Sequence, residues 1–235
     1  YYNLKMIRRL KPEKILARNL GAIEFFKDAH EIELLGDFSL NVTNSVSVDY
    51  LINKGLRSVN LSYDLNQKQL LDLTNQADVS KLEVTIHQYM PEFHMEHCVF
   101  AAFLSKGHSF KDCGKPCEKH SVKLKDPYGN WHHLKADHEC RNTFFKATPQ
   151  SASFLISDLL KKGVGLFRLE ALDETPEEIN RKILSYLKLL NGEIESSTLV
   201  GELQLLETYG LGAGRLDKDD RYQDRKKAKT ERPLF

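Results

Sequence analysis

No apolar run in these 235 residues approaches the roughly 18 that a membrane-spanning helix requires, so no membrane partner is expected. A signal-peptide pattern is missing too, which sets the expectation of a cytoplasmic protein, or of an organelle stroma in a eukaryote. Charge of one sign is not in excess: 34 Lys plus Arg stand against 33 Asp plus Glu. That balance excludes a uniformly basic nucleic-acid coat and leaves only a local basic patch. Two catalytic signatures are absent. The zinc-protease order His-Glu-x-x-His is replaced by His94-Met95-Glu96-His97. No Gly-x-Ser-x-Gly elbow occurs, so a serine-type triad has no support. The chain opens on Tyr1 rather than Met, which points to a fragment or a processed product. What is present, 41% apolar and 29% charged residues, suits a globular chain that folds without staples.

Residues 1–87 alternate strand-like and helical patterns. Strands are expected at Ile15–Arg18, Phe38–Val42, Arg57–Leu61 and Leu82–His87. Helices are expected between them, capped by Asn44 or Ser45 and by Asn66, with Gly55 as a left-handed stop. Four such units predict a parallel sheet with helical crossovers, half of an eight-stranded barrel or a small open sheet. Residues 88–146 lose that rhythm. A helix is expected over Glu96–Ser105, and Asp126-Pro127-Tyr128-Gly129-Asn130 reads as the turn of a hairpin between Ser121–Lys125 and Trp131–Lys135. In 147–214 the α/β pattern returns: a helix at Ser151–Lys162, a strand at Leu166–Leu172, and a helix opened by Thr175-Pro176-Glu177-Glu178 and stopped at Asn191-Gly192. Residues 215–235 read as a flexible charged tail.

All four cysteines lie between Cys98 and Cys140, and eight of nine histidines lie between His87 and His138. Cys and His are the common soft-metal ligands. The spacing Cys98-x14-Cys113-x3-Cys117-x22-Cys140 supplies four thiols with none left over, the count for a thiolate metal site. It lacks the paired Cys-x2-Cys knuckles that zinc favours. Buried separate thiols and disulfides remain the other readings. Each histidine alone is as readily a structural hydrogen-bonder as a ligand. Glu92 with Glu96, and His94 with His97, would line a cleft if their segment were helical. Lys111, Lys115, Lys119, Lys123 and Lys125 would meet phosphate, or form an ordinary solvated face.

Three blocks are more specific: Met90-Pro-Glu-Phe-His-Met-Glu-His-Cys-Val-Phe100, Asp112-Cys-Gly-Lys-Pro-Cys-Glu-Lys-His120 and Ala136-Asp-His-Glu-Cys-Arg-Asn-Thr143. With Leu35–Asn41, Ser62–Asn66, Phe167–Glu170 and the acidic Glu174–Glu178 stretch, they resemble the collagenase-like peptidase family of unknown catalytic type. The resemblance spans about residues 15–212. It implies an α/β chain that is the second half of a TIM-like (β/α) barrel, with a cysteine-rich cluster-binding insertion and a small α/β C-terminal part. The parts are then 1–87 (partial barrel), 88–146 (cluster-binding segment), 147–214 (C-terminal part) and 215–235 (tail). A complete member has four more βα units before these, a missing N-terminal half-barrel. Where members end a block on Thr-Arg-Gly, this chain has Leu211-Gly212-Ala213-Gly214-Arg215.

The same resemblance implies a 4Fe-4S cluster on Cys98, Cys113, Cys117 and Cys140, with zinc as the alternative. The branch carrying His-Met-Glu-His-Cys is similar to proteins needed to hydroxylate a base of large-subunit ribosomal RNA without molecular oxygen. Ribosomal RNA or its precursor is then the partner, and prephenate is linked to the reaction. His87, Glu92, His94, Glu96 and Arg141 are the candidates for roles near substrate or cluster. Arg141 is equally suited to an ion pair with Asp137. The competing expectations are a peptidase and a non-catalytic fragment with a structural metal.

Overall fold

The computed structural model describes residues 2–107, 109, 111–204 and 211–216. The chain opens with α1 (Tyr2–Leu10) and enters a strand–helix rhythm: β1 (Lys14–Ala17), α2 (Leu20–Phe26), β2 (Glu33–Gly36), α3 (Ser45–Asn53), β3 (Leu56–Asn60), α4 (Gln67–Thr74) and β4 (Leu82–Gln88). Each helix of these repeats begins on an asparagine. The side chains of Asn19, Asn44 and Asn66 accept from the backbone N–H of Ala22, Ser47 and Gln69. An asparagine there satisfies one of the orphan donors of the first helical turn. It also turns the chain at the end of a strand and sends it back as the crossover that a parallel neighbour requires. Gly55, at φ +98°, makes the left-handed exit from α3.

The chain then leaves this sheet. β5 (Pro91–Met95), α5 (Val99–Leu104), β6 (Val122–Lys125), β7 (Trp131–Ala136) and β8 (Asn142–Phe145) follow, and their strands form a separate antiparallel sheet in the order β5-β8-β7-β6. The return passes through β9 (Gln150–Ser151), which pairs antiparallel with the end of β4. α6 (Ile156–Lys161), β10 (Leu166–Leu169), α7 (Pro176–Leu190) and α8 (Ser196–Gln204) complete the described elements. β10 lies parallel to β4, so the main sheet runs β1-β2-β3-β4-β10. The cysteine-rich segment is therefore an excursion between two neighbouring strands, thrown out from the C-terminal end of β4. Among the described residues the path ends at β1 and β10 and does not close.

The two faces of the main sheet differ. Leu82, Val84 and Ile86 of β4 are at most 2% exposed and pack with Ile23, Val48, Leu70, Leu155 and Leu159 from the helices. The alternate residues Glu83, Thr85 and His87 point to the other face, as the period of two demands. That face is polar. The Asn60 amide donates to Glu83 and Thr85 at 2.8 and 3.0 Å. Arg168 of β10 reaches Glu83 and Asp37, each at 2.5 Å.

Five expectations need correction. Phe38–Val42 is not a strand. The strand is β2, and Phe38–Leu40 is a 3-10 turn ended by Asn41 at φ +52°. Asp37 ends the extended run because its carboxylate is held by Arg18 and Arg168. Glu92–Glu96 is not helical, because pairing with β8 draws the segment into β5. The helix expected from Glu96 begins only at Val99. Ser151–Lys162 starts as strand and 3-10 turn, because the end of β4 pairs with Gln150 and Ser151. The strand expected to run to Leu172 stops at Leu169. The charged tail lies outside the described residues beyond Leu216. No helix among the described residues is long and apolar enough to cross a membrane.

Candidate functional site

The four cysteines sit at one end of the antiparallel sheet. Cys98 is the residue before α5, and its Sγ accepts from the Ala101 N–H at 3.5 Å. Cys113 and Cys117 flank a turn in which Gly114 and Lys115 are both left-handed and Pro116 begins a 3-10 segment. α5 packs beside that segment. Cys140 occupies the β7–β8 turn, itself left-handed at φ +67°. That conformation is uncommon for a residue with a side chain, and it persists only where neighbours enforce it. The enforcing residue is Asp137, whose carboxylate accepts from the backbone N–H of Glu139 and Arg141, each at 2.9 Å.

Cys98, Cys113 and Cys140, with Glu96, His97 and Ser109, line one cleft of about 280 Å³. All four thiols are half-buried and none is in a disulfide. They sense one another: burial, and then the thiols of Cys98, Cys113 and Cys117, push the Cys140 thiol above its ordinary value. Among the described residues, no three His, Cys, Asp or Glu side chains converge closely enough to hold a single metal ion. The donor set is thus three thiols lining one cleft, with the fourth, Cys117, on the adjoining 3-10 segment and felt at Cys140. A multi-iron cluster, which is larger and takes four thiolates, fits such a donor set.

Two residues to which the sequence alone assigns no role fix this arrangement. Asn142 is fully buried; its amide oxygen accepts from the Val99 N–H at 2.8 Å and its NH2 donates to the Cys140 carbonyl at 3.3 Å. One side chain thereby ties the segment after Cys98 to the Cys140 turn. Gly107 lies against Asp112 and Cys113, where a Cβ would stand 2.4 Å from the Asp112 carbonyl oxygen. Only glycine allows that approach.

His87 lies elsewhere, inside the main sheet's C-terminal end, and is 1% exposed. The Lys182 ammonium is 3.3 Å from its Nε2 and 2.5 Å from Glu174 Oε1. An ammonium only donates, so Nε2 accepts and the ring proton sits on Nδ1, facing the Tyr186 hydroxyl at 3.2 Å. Tyr186 in turn donates to the Ile86 carbonyl at 3.2 Å and meets Ser151 Oγ at 2.8 Å. Burial, then the Lys182 charge, holds His87 down to about 3, so the imidazole is neutral at pH 7. A second polar group spans the neighbouring strand ends: Arg18, Asp37, Glu83, Arg168 and Glu170. Burial raises the Glu170 carboxyl above its usual range despite the adjacent Arg168.

The candidates therefore separate. Glu96 lines the thiol cleft. Arg141 stands beside it, but its guanidinium is taken up by Asp137, at 3.1 Å, and by Glu139. His94 is exposed on β5, its Nδ1 2.9 Å from the Thr143 hydroxyl. Glu92 is exposed near the other end of β5. His97, in the cleft, belongs with Glu96. Glu174, Lys182 and Tyr186 are the unexpected partners of His87; the Glu174–Glu178 stretch is the signal that marked their region.

No curated protein and no solved structure matches the chain. A family model does: that of peptidase family U32 matches residues 2–209, nearly the whole described length. The match covers the parallel strands, the excursion with its four thiols and the return through β10, α7 and α8, and by it the chain belongs to peptidase family U32.

Proposed function

We propose that this chain is an iron–sulfur RNA-modifying protein, whose resemblance assigns it to the oxygen-independent hydroxylation of a base in large-subunit ribosomal RNA. The observation that carries the reading is that Cys98, Cys113 and Cys140 line one cleft, with Cys117 across the Gly114–Pro116 turn from Cys113 and no disulfide among the four. Those four residues would hold a 4Fe-4S cluster, which supplies one-electron chemistry when bound. The chain's own part is positional: Asp137 and Asn142 fix the Cys140 turn, and Glu96 and His97 are the cleft residues suited to hold or pass a proton. On this reading the five parallel strands are the second half of a TIM-like barrel. Its polar inner layer around Arg168 is then the face that an N-terminal half-barrel would cover. A small dicarboxylate such as prephenate would need the arginines of that layer, and Arg18 and Arg168 both already hold Asp37. It would have to displace that carboxylate.

Anaerobic visible absorbance with iron and sulfide quantification tests the cluster. Wild-type protein should show broad absorbance with matched iron and acid-labile sulfide, and Cys117→Ala should lose both. Featureless spectra for both proteins would overturn the reading. Mass spectrometry of ribosomal RNA from a deletion strain tests the reaction, because an unchanged base inventory removes it. The family name favours a second reading, a peptidase. Zinc as the only bound metal, together with collagen cleavage, would establish that one instead.

A further inference from the structure

The excursion sheet has two unlike faces. Strand alternation puts Val122, Leu124, Leu134 and Phe144 on one, and Leu134 there is buried. The other carries Lys123, Lys125, Trp131, His133 and Lys135, since cross-strand partners share a face: Lys123 stands opposite His133, and Lys125 opposite Trp131. Lys125 Nζ lies 5.3 Å from the Trp131 ring centre. Trp131 is 43% exposed, and Tyr128 in the adjoining turn is 90% exposed. Lys135 and His133 are both held by Asp173, which anchors the inner end of this face to the segment after β10. β7 then runs directly into the turn that carries Cys140.

We infer that the outer part of this face, Lys123, Lys125 and Trp131 beside the Asp126–Asn130 hairpin turn, is a platform for single-stranded RNA. The inference rests on the RNA reading above and adds to it the surface by which RNA is held. Cations in a row with an exposed indole match a phosphate backbone with unstacked bases, the combination single-strand binders use. The lysines alone would also suit an edge strand that merely resists aggregation. The indole under Lys125 does not serve that purpose. The six residues of β7 span roughly 20 Å at about 3.4 Å per residue, so a base stacked at Trp131 lies several nucleotides from the Cys140 turn.

Trp131 is the chain's single tryptophan, so its fluorescence reports this surface alone. The full chain, purified anaerobically, is titrated with a mixed-sequence 12-mer RNA, its duplex, heparin, and vesicles containing anionic lipid. Quenching by the single strand, with little by duplex or heparin, is the expected result. In gel shifts with the end-labelled 12-mer, which need no tryptophan, Trp131→Ala should weaken single-strand binding about tenfold or more, and Trp131→Phe should restore most of it. Lys123→Ala with Lys125→Ala should weaken binding and flatten its salt dependence. Equal quenching by heparin would reduce the face to a general polyanion surface and overturn the inference. A vesicle-induced blue shift without RNA quenching would make it a membrane surface, and binding that leaves the indole unaffected would put RNA elsewhere. Ribosomal RNA from strains carrying each variant separates the two proposals. A modified base that survives Trp131→Ala but not Cys117→Ala sinks the platform and leaves the reaction standing. A base unchanged by Cys117→Ala sinks the reaction, while the fluorescence result still decides the platform.

Discussion

Acidification from pH 7 to pH 5 probes the buried network around His87. The unfolded chain takes up a proton on this imidazole near 6.5, and the folded chain only near 3. Between those values the unfolded state holds the extra proton, so stability that is fully present above pH 6.5 is lost as the pH falls. The slope approaches about 1.4 kcal/mol per pH unit, one proton's worth, which amounts to about 2 kcal/mol by pH 5 and about 5 kcal/mol by pH 3. Against a typical domain stability of about 5–15 kcal/mol this is a large share. The physical cause is specific. A protonated His87 would sit in an enclosed site with the Lys182 ammonium 3.3 Å from Nε2, and it would lose the acceptor that Lys182 uses.

Urea unfolding of wild type and His87→Gln, at half-unit steps from pH 7 to pH 5, measures the effect. Glutamine keeps an acceptor for Lys182 and does not titrate, so its curve lacks this proton's contribution. All other titratable groups are common to both proteins, so their part largely cancels in the difference. The depressed carboxylates Asp126, Asp137 and Asp173 lose their contribution only at lower pH. The wild-type midpoint should fall steeply relative to the variant's. Parallel curves would refute the claim that the folded protein holds His87 neutral.

Two further outcomes follow from the same geometry. Gly107→Ala should leave the far-ultraviolet dichroism unchanged and sharply lower the iron retained after anaerobic reconstitution. Its Cβ can be relieved only by moving the Asp112–Cys113 backbone; full retention would show that Cys113 needs no fixed place. Lys182→Met should destabilise the fold by about 3–5 kcal/mol, because it leaves Glu174, whose side chain is 8% exposed, charged and unpaired. Adding Glu174→Gln should recover part of that loss, and a strictly additive double variant in denaturant titrations would deny the coupling.

Local features were readable in advance. Asn44, Asn66 and Thr175 announce their helices because a capping side chain and its backbone partner lie within three residues. The Asp126–Asn130 turn is equally local: the Asp126 carboxylate gathers the N–H groups of Tyr128 and Asn130, and the hairpin follows. The cysteines were legible from their count. Features set by distant partners were not. Glu92–Met95 became a strand through pairing with residues some fifty positions later. His87 is defined by Lys182 and Tyr186, which no local pattern links to it. Asn142 falls inside one of the specific blocks, but its role in holding two thiol-bearing segments was not legible, because its burial and both bonds exist only in the folded sheet.

Asp173 and Glu174 explain why the excursion is not a loosely tethered module. The two carboxylates are adjacent in sequence and face different bodies. Asp173 holds His133 and Lys135 of β7. Glu174 holds Lys182 and, through it, His87 at the end of β4. Tyr89, just past β4, adds a ring contact to His133 with centroids 5.2 Å apart. The antiparallel sheet is thus fixed to the parallel sheet by charged, partly buried pairs at the inner end of β7. Its outer hairpin and the cysteine turn project from that anchor. Displacing the sheet would cost both Asp173 contacts and the Tyr89–His133 ring contact, while Glu174 and Lys182 hold the adjoining residue in place on the main body. Such a joint keeps the thiol cleft at a set position relative to the strand ends, which chemistry shared between the two would require.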